Sequence, residues 1–185
     1  MSRGVSQLKI ANEIIFEVFL ELLHEKSFKD LSVKEIVHKA GVSRSTFYLH
    51  FADKYVLMEE VRRTLNDRLL SFYQEESSQR EKPITFYLCE HIFKYRSFYK
   101  VEFADAIAIQ KLSDKLAGHL LQAFGDQDYS IFASYGTIGY LSFWVKNEFV
   151  MSPAEAAEIL LKIGFTNWSK GLDPKLLFLF SANRE

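Results

Sequence analysis

Hydroxyl-bearing and cationic side chains crowd one short stretch of this chain. Between residues 32 and 54 stand Ser32, Lys34, Ser43, Arg44, Ser45, Thr46, Tyr48, His50 and Lys54. Contact with nucleic acid requires this set: donors toward phosphate oxygens and a few side chains able to reach base edges in the major groove. Lys34, Arg44 and Lys54 also fall at the starts of predicted helices, where backbone N–H groups favour phosphate. Competing chemistries find less support. The five histidines (24, 38, 50, 91 and 119) show no metal-ligand spacing with Cys89 or with carboxylates. No GxGxxG, P-loop or GxSxG pattern occurs. Glu90-His91 with Asp105 is the nearest approach to an acid/base pair, and a hydrogen-bonded group at a helix interface is the simpler reading. The expectation is a protein that is not an enzyme and that needs no metal and no cofactor.

The elements that must position the donors are legible from the same residues. Ser32 is an N-cap signal, and Glu35 three positions later completes a capping box. Val33, Ile36 and Val37 give the following helix its apolar face, and Gly41 stands where its C-terminus needs a left-handed residue. Val42 is a buried spacer, and Ser43 caps a second helix whose Phe47 and Phe51 turn inward. Two short helices joined by a tight glycine-containing turn make a helix-turn-helix.

The run LSVKEIVHKAGVSRSTFYLHFADKYVL closely resembles the N-terminal domain of TetR-family transcriptional regulators, from its aromatic-rich recognition helix to the Asp53-Lys54 that opens the next helix. The resemblance implies that the second helix of the motif lies in the major groove. There it presents Ser43, Arg44, Ser45 and Thr46, with Arg44 the foremost candidate for a base edge and Thr46 for phosphate or a thymine methyl. Tyr48 and His50 match positions that touch backbone or bases. Lys54 would donate to phosphate, and Ser32 or Lys34 would grip the flanking phosphate. Ser45 stands where many relatives have Gly, and Leu49 where a polar residue is common, so base preference does not transfer.

Composition sets the wider frame. In 185 residues, hydrophobic types make up 48% and aromatics 15%, enough for a full core. Three prolines and eight glycines favour long helices over many short strands. A lone Cys89 fits a reducing cytoplasm, no signal-like start is present, and no apolar run is long enough to span a bilayer. A cytoplasmic protein without a membrane partner is expected. The net charge of −1 is modest for a nucleic-acid protein: residues 1–54 carry +1 and residues 55–185 carry −2. Modest charge predicts modest non-specific affinity.

The periodicity predicts an all-α chain of about nine helices. Residues 1–5 read as an arm with Arg3 available for phosphate. A helix from Ser6 to Lys26 has Ile10, Ile14, Val18 and Leu22, with Ile15, Phe19 and Leu23 beside them, on a wide buried stripe, and Glu13, Glu17, Glu21 and Glu25 on a solvated face. A long helix over 54–76 links a DNA-binding domain, residues 1–54, to a second domain, residues 77–185, with the polar stretch 76–82 as boundary. Further helices are expected over 84–95, 97–110, 112–124 and 129–150. A last one starts at the capping box Ser152-Pro153-Ala154-Glu155 and ends near Trp168. The segment GTIGYLSFWVKNEFVMSPAEAAEILLKIG also looks like the final helices of a TetR subgroup that includes regulators of dihydroxyacetone kinase operons.

The second domain is read as sensing or pairing. A single helix-turn-helix makes too few contacts for tight specific binding, so a twofold homodimer on a palindromic operator is expected. Gly136 and Gly139 would let helices approach closely, with Phe143, Trp144, Ile159, Ile163 and Trp168 as anchors. Tyr87, His91, Tyr95, Tyr99 and Phe103 are candidates to line an effector pocket, plain aromatic core being the alternative. The function expected from the resemblance is a repressor released from its operator by a small effector. An activator responding to a partner protein, or a helical interaction module, are the alternatives.

Overall fold

A computed structural model describes residues 2–74 and 81–164, with side chains from Ala11 onward. Among these residues nine α-helices form and no strand: α1 (Ser2–Glu25), α2 (Val33–Ala40), α3 (Arg44–His50), α4 (Lys54–Ser71), α5 (Ile84–Lys94), α6 (Arg96–Glu102), α7 (Ala106–Phe124), α8 (Gln127–Lys146) and α9 (Pro153–Gly164). A 3-10 turn, Phe28–Asp30, joins α1 to α2. None of the described helices is long and apolar enough to cross a membrane.

The N-terminal three-helix unit is built as its capping residues dictate. Glu35 N–H donates to Ser32 Oγ (3.3 Å), and the Glu35 carboxylate accepts from Ser32 N–H (3.0 Å), which closes the capping box. Gly41 ends α2 at φ 64°, a left-handed conformation that costs residues with a Cβ. Ser43 Oγ accepts from Thr46 N–H (2.9 Å) and starts α3. Ile15, Phe19, Ile36 and Phe47 are all fully buried where α1, α2 and α3 meet. Within the wide apolar stripe of α1, Ile15, Val18, Phe19, Leu22 and Leu23 are buried, and Ile14 at its edge is 40% exposed. The acidic face of α1 is not simply solvated, since Lys39 on α2 pairs with Glu25 (2.5 Å) and Glu21 (3.4 Å).

Other boundaries moved for local reasons. α1 begins at Ser2, so residues 2–5 continue the helix instead of forming an arm. That segment lacks proline, and its one glycine costs only about 1 kcal/mol. α4 stops at Ser71, short of residue 76. The expected boundary at 76–82 lies mostly outside the described residues, as does Trp168 at the end of the last helix and the 176–185 tail. α6 ends at Glu102, and Asp105 caps α7 by accepting from Ile107 N–H (2.9 Å), so the break falls at 103–105 and not near 111. Asp126 likewise starts α8 early, by accepting from Tyr129 N–H (2.9 Å). α8 closes at Lys146, where Glu148 (φ 54°) and Phe149 (φ 56°) reverse the chain into the second capping box at Ser152 and Glu155.

The C-terminal helices share a core with α4. α7 and α8 form a hairpin through the two-residue connection Gly125-Asp126, and α9 folds back onto α5. Trp144, Tyr99, Phe98 and Phe103 are buried there completely. α1 meets α6, so the helix-turn-helix unit is held to the rest of the molecule at both α1 and α4.

Candidate nucleic-acid interface

α3 buries one side and leaves the other to solvent. Phe47 and Phe51 stack toward the core (5.6 Å between ring centres), and residues between them must face outward. Ser43, Arg44, Ser45, Tyr48 and Leu49 are exposed, with Tyr48 at 55% and Leu49 at 73%. Thr46 and His50 are half-buried at the edges of this face. Ser32 and Lys34, at the start of α2, are exposed as well.

The free donors are the cations. Arg44 and Lys34 hold no hydrogen bond or ion pair among the described residues. The hydroxyls are partly committed: Ser43 Oγ, besides capping α3, lies 2.7 Å from Ser45 Oγ and 2.8 Å from Thr46 Oγ1. His50 packs its ring against Phe51 (6.0 Å between centres), and its Nε2 is buried without a partner.

Lys54 is placed against expectation. Its ammonium donates to the carbonyls of Phe28 (3.0 Å), Lys29 (2.9 Å) and Leu31 (2.7 Å) and sits over the Phe28 ring at 4.9 Å. An ammonium has three N–H donors, and all three are taken. Lys54 therefore ties the start of α4 to the turn before α2 and is not a spare phosphate ligand. The carbonyls of a short 3-10 turn lack helical partners, and that need draws the lysine in. Sequence reasoning undervalued two apolar residues on the same side, Leu49 and Tyr55, the latter 62% exposed. The signal was available: both fall off the buried stripes of their helices.

The expected effector pocket is a packed aromatic cluster. His91 Nε2 lies 3.1 Å from the Leu65 carbonyl and 3.0 Å from the Tyr99 hydroxyl. Phe72 (5.9 Å) and Tyr95 (5.0 Å) pack on the His91 ring, Tyr87 packs on Phe72 (5.9 Å), and Tyr99 leans on Phe103 (5.5 Å). Burial, with lesser repulsion from Arg68 and Lys94, holds the imidazole down to about 4 despite the Leu65 bond. His91, Tyr99 and Phe103 are buried, and Tyr87 and Tyr95 half-buried. Their polar edges serve to fasten α5 and α6 to the α4 backbone.

The expected pairing residues divide. Gly136, Gly139 and Phe143 lie on the exposed side of α8, and Ile159 is 38% exposed on α9. Ile163 is half-buried. Trp144 belongs to the chain's own core: it is fully buried, stacks on Phe93 and donates its indole N–H to the Met151 carbonyl (3.0 Å). Trp144 and Phe143 are neighbours on a helix, and adjacent positions point about 100° apart. One had to face in.

With this geometry established, comparison with known proteins is informative. The sequence profile of bacterial regulatory proteins of the tetR family matches residues 15–61, which run from α1 into α4. Residues 15–61 are thus similar to the N-terminal domain of the TetR family. A helix-turn-helix transcriptional regulator of Haemophilus influenzae is 37% identical over 51 residues, 28% of this chain and 25% of that protein. The Bacillus subtilis regulators YxbF and YvdT are 40% identical over 45 residues and 36% over 53, covering 24% and 29% of this chain and 12% and 27% of theirs. The matched stretch thus spans about a quarter of such relatives or less. Solved structures extend the likeness to the whole fold. A transcriptional regulator from Aquifex aeolicus superposes with a TM-score of 0.66 at 21% identity, covering 84% of this chain and 99% of that one. The dihydroxyacetone kinase operon activator DhaS reaches 0.60 at 16% identity, covering 83% and 93%. These similar proteins are named as transcriptional regulators.

Proposed function

We propose that this TetR-family protein is a cytoplasmic homodimeric repressor, which holds a palindromic operator through two copies of α3 and leaves it when a small effector favours another dimer conformation. The observation that carries the reading is the outward face of α3, where Arg44 has no partner among the described residues and Tyr48 and Leu49 are exposed. Arg44 is the base-reading residue, suited to guanine O6 and N7. Leu49 offers apolar contact to a thymine methyl, and Lys34, Ser32, Ser43 and Thr46 fix the phosphates. Lys54 acts through the fold. Residues 1–54 form the DNA-binding part, α4 is the link, and the helices after residue 77 carry pairing and sensing.

Pairing is assigned to α8 and α9. Phe132, Tyr135, Gly136, Gly139 and Phe143 recur at intervals that place them on one side of α8, all exposed. A Cβ at Gly136 or Gly139 would meet nothing within 4 Å in one protomer, so these glycines are free to admit a partner helix. Selecting bound duplexes from a random DNA library at near-physiological salt tests the reading. Recovery of a palindrome with half-sites about one helical turn apart supports it. Recovery of single half-sites by a monomer, or of nothing above background, overturns it.

A further inference from the structure

A cleft of about 300 Å³ opens between α4, the end of α6 and the start of α7, away from the aromatic cluster. Its floor is unusual for a helical protein. Glu102 is 1% exposed, yet it is a carboxylate: it accepts from Arg62 Nε (2.7 Å) and from Asn66 Nδ2 (2.8 Å). A buried ion pair contributes little to stability once desolvation is counted, so the fold alone gives weak reason to keep one. A carboxylate only accepts, so Asn66 must turn its amide nitrogen to Glu102. That orientation leaves Asn66 Oδ1 buried without a donor, on a residue that is itself only 5% exposed. An orphaned buried acceptor costs about 1–3 kcal/mol.

The charges around the cleft are unevenly committed. On the acidic side, Glu59 and Glu102 pair with Arg62, and Asp105 caps α7. On the basic side, Arg63 and Lys115 take partners outside the cleft, Glu60 and Asp67. Lys111, exposed at the mouth, has no ion pair among the described residues. Leu112 and Ala108, both buried, supply an apolar wall. An apolar wall, one orphaned acceptor and one uncommitted cation define a small, asymmetric ligand.

We propose that this cleft binds a small anion carrying a hydroxyl group, whose anionic end meets Lys111 and whose hydroxyl donates to Asn66 Oδ1. Asn66 lines the cleft with its Oδ1 covered in the unliganded protein, so an occupant reaches that oxygen as neighbouring side chains move aside. Arg62 and Asn66 stand on α4, the helix that leaves the DNA-binding unit, and an occupant draws α4 toward α6 and α7. The assignment gives the effector of the regulatory reading a place and a chemical class, and rests on that reading only for its consequence. Binding itself is measured without DNA, so failure here and failure of operator binding are read separately.

Calorimetric titration of the full chain at low ionic strength tests it, with glycerate as the probe. Propionate (a carboxylate without hydroxyls), glycerol and inorganic phosphate serve as comparisons. Glycerate is expected to bind at millimolar concentration or below, at least about tenfold more tightly than propionate or glycerol. Lys111→Ala, an exposed change that leaves the thermal midpoint intact, is expected to weaken glycerate about tenfold, and Asn66→Leu to do the same. No binding of glycerate at millimolar concentration overturns the proposal. So does propionate binding equally well, or glycerate binding that ignores Lys111→Ala. Phosphate binding as tightly as glycerate and insensitive to Asn66→Leu would reveal an anion patch only, and also overturns it.

Discussion

Three side chains decide most at the residue scale: Arg44, Lys54 and His91. Arg44 is exposed and without a partner among the described residues, so Arg44→Ala should leave the thermal midpoint unchanged. It should cost about 1–3 kcal/mol of operator affinity and relax preference at one base position, measured by binding to point-substituted duplexes. Lys54 should behave oppositely. Lys54→Ala withdraws the donors from the Phe28, Lys29 and Leu31 carbonyls, of which Phe28 keeps its bond from Leu31 N–H, and should destabilise the fold by about 1–3 kcal/mol in denaturant unfolding. If DNA affinity falls and stability does not, Lys54 is a phosphate ligand after all. His91 predicts a pH dependence. Its folded pKa is lowered to about 4 from 6.5, chiefly by burial, so between those values the unfolded chain binds more protons. Stability from this group is fully present above 6.5 and is lost as pH falls toward 4, on the order of 3 kcal/mol. Urea unfolding between pH 4 and 7 should show this loss in the parent, and His91→Gln should remove it.

At the scale of elements, the turn between α8 and α9 stores strain. Glu148 and Phe149 both take left-handed backbone, but only Phe149 earns its place by packing, against Trp144 (5.0 Å) and Phe93 (5.6 Å). Glu148 contributes an exposed pair with Lys100, a contact of little worth. Glu148→Gly should therefore stabilise the protein by roughly 0.5–1 kcal/mol, read as a raised thermal midpoint. A fall would mean that the Lys100 pair outweighs the backbone. This turn also marks the limit of what sequence shows. Ser32, Gly41, Ser43, Asp53 and the Ser152–Glu155 box could be read directly, because caps act over three or four residues. Nothing local announces a left-handed glutamate, and tertiary packing of Phe149 sets it. The same holds for the site. The outward residues of α3 follow from its short-range pattern, whereas the carbonyl partners of Lys54 lie 23 to 26 positions away and leave no local signal. The aromatic residues from Tyr87 to Phe103 look alike in sequence, and only the ring packing separates core from pocket.

On the proposed reading the whole molecule would carry one half of a twofold site, and the small free face of its recognition helix is what makes pairing part of that reading. α3 is seven residues long, and its free face offers one uncommitted arginine. Two copies fixed at one helical turn of DNA convert weak contacts into specific ones, and the spacing is set wherever the protomers join. The exposed line from Phe132 to Phe143 on α8 is the face assigned to that join, and its glycines allow a test that separates folding from pairing. In a monomer, Gly139→Ala should strengthen α8 by up to about 1 kcal/mol, because alanine favours helix and its methyl meets nothing. In a dimer with helices in close approach, the same methyl should weaken association. Phe143→Glu should abolish association, since it places a charge at the centre of an apolar seam while leaving the protomer core untouched. Sedimentation should then show Phe143→Glu as a folded monomer with an unchanged thermal midpoint and no grip on a full palindrome. A dimer that survives Phe143→Glu places the join elsewhere and removes α8 as the element that sets the spacing of the two recognition helices.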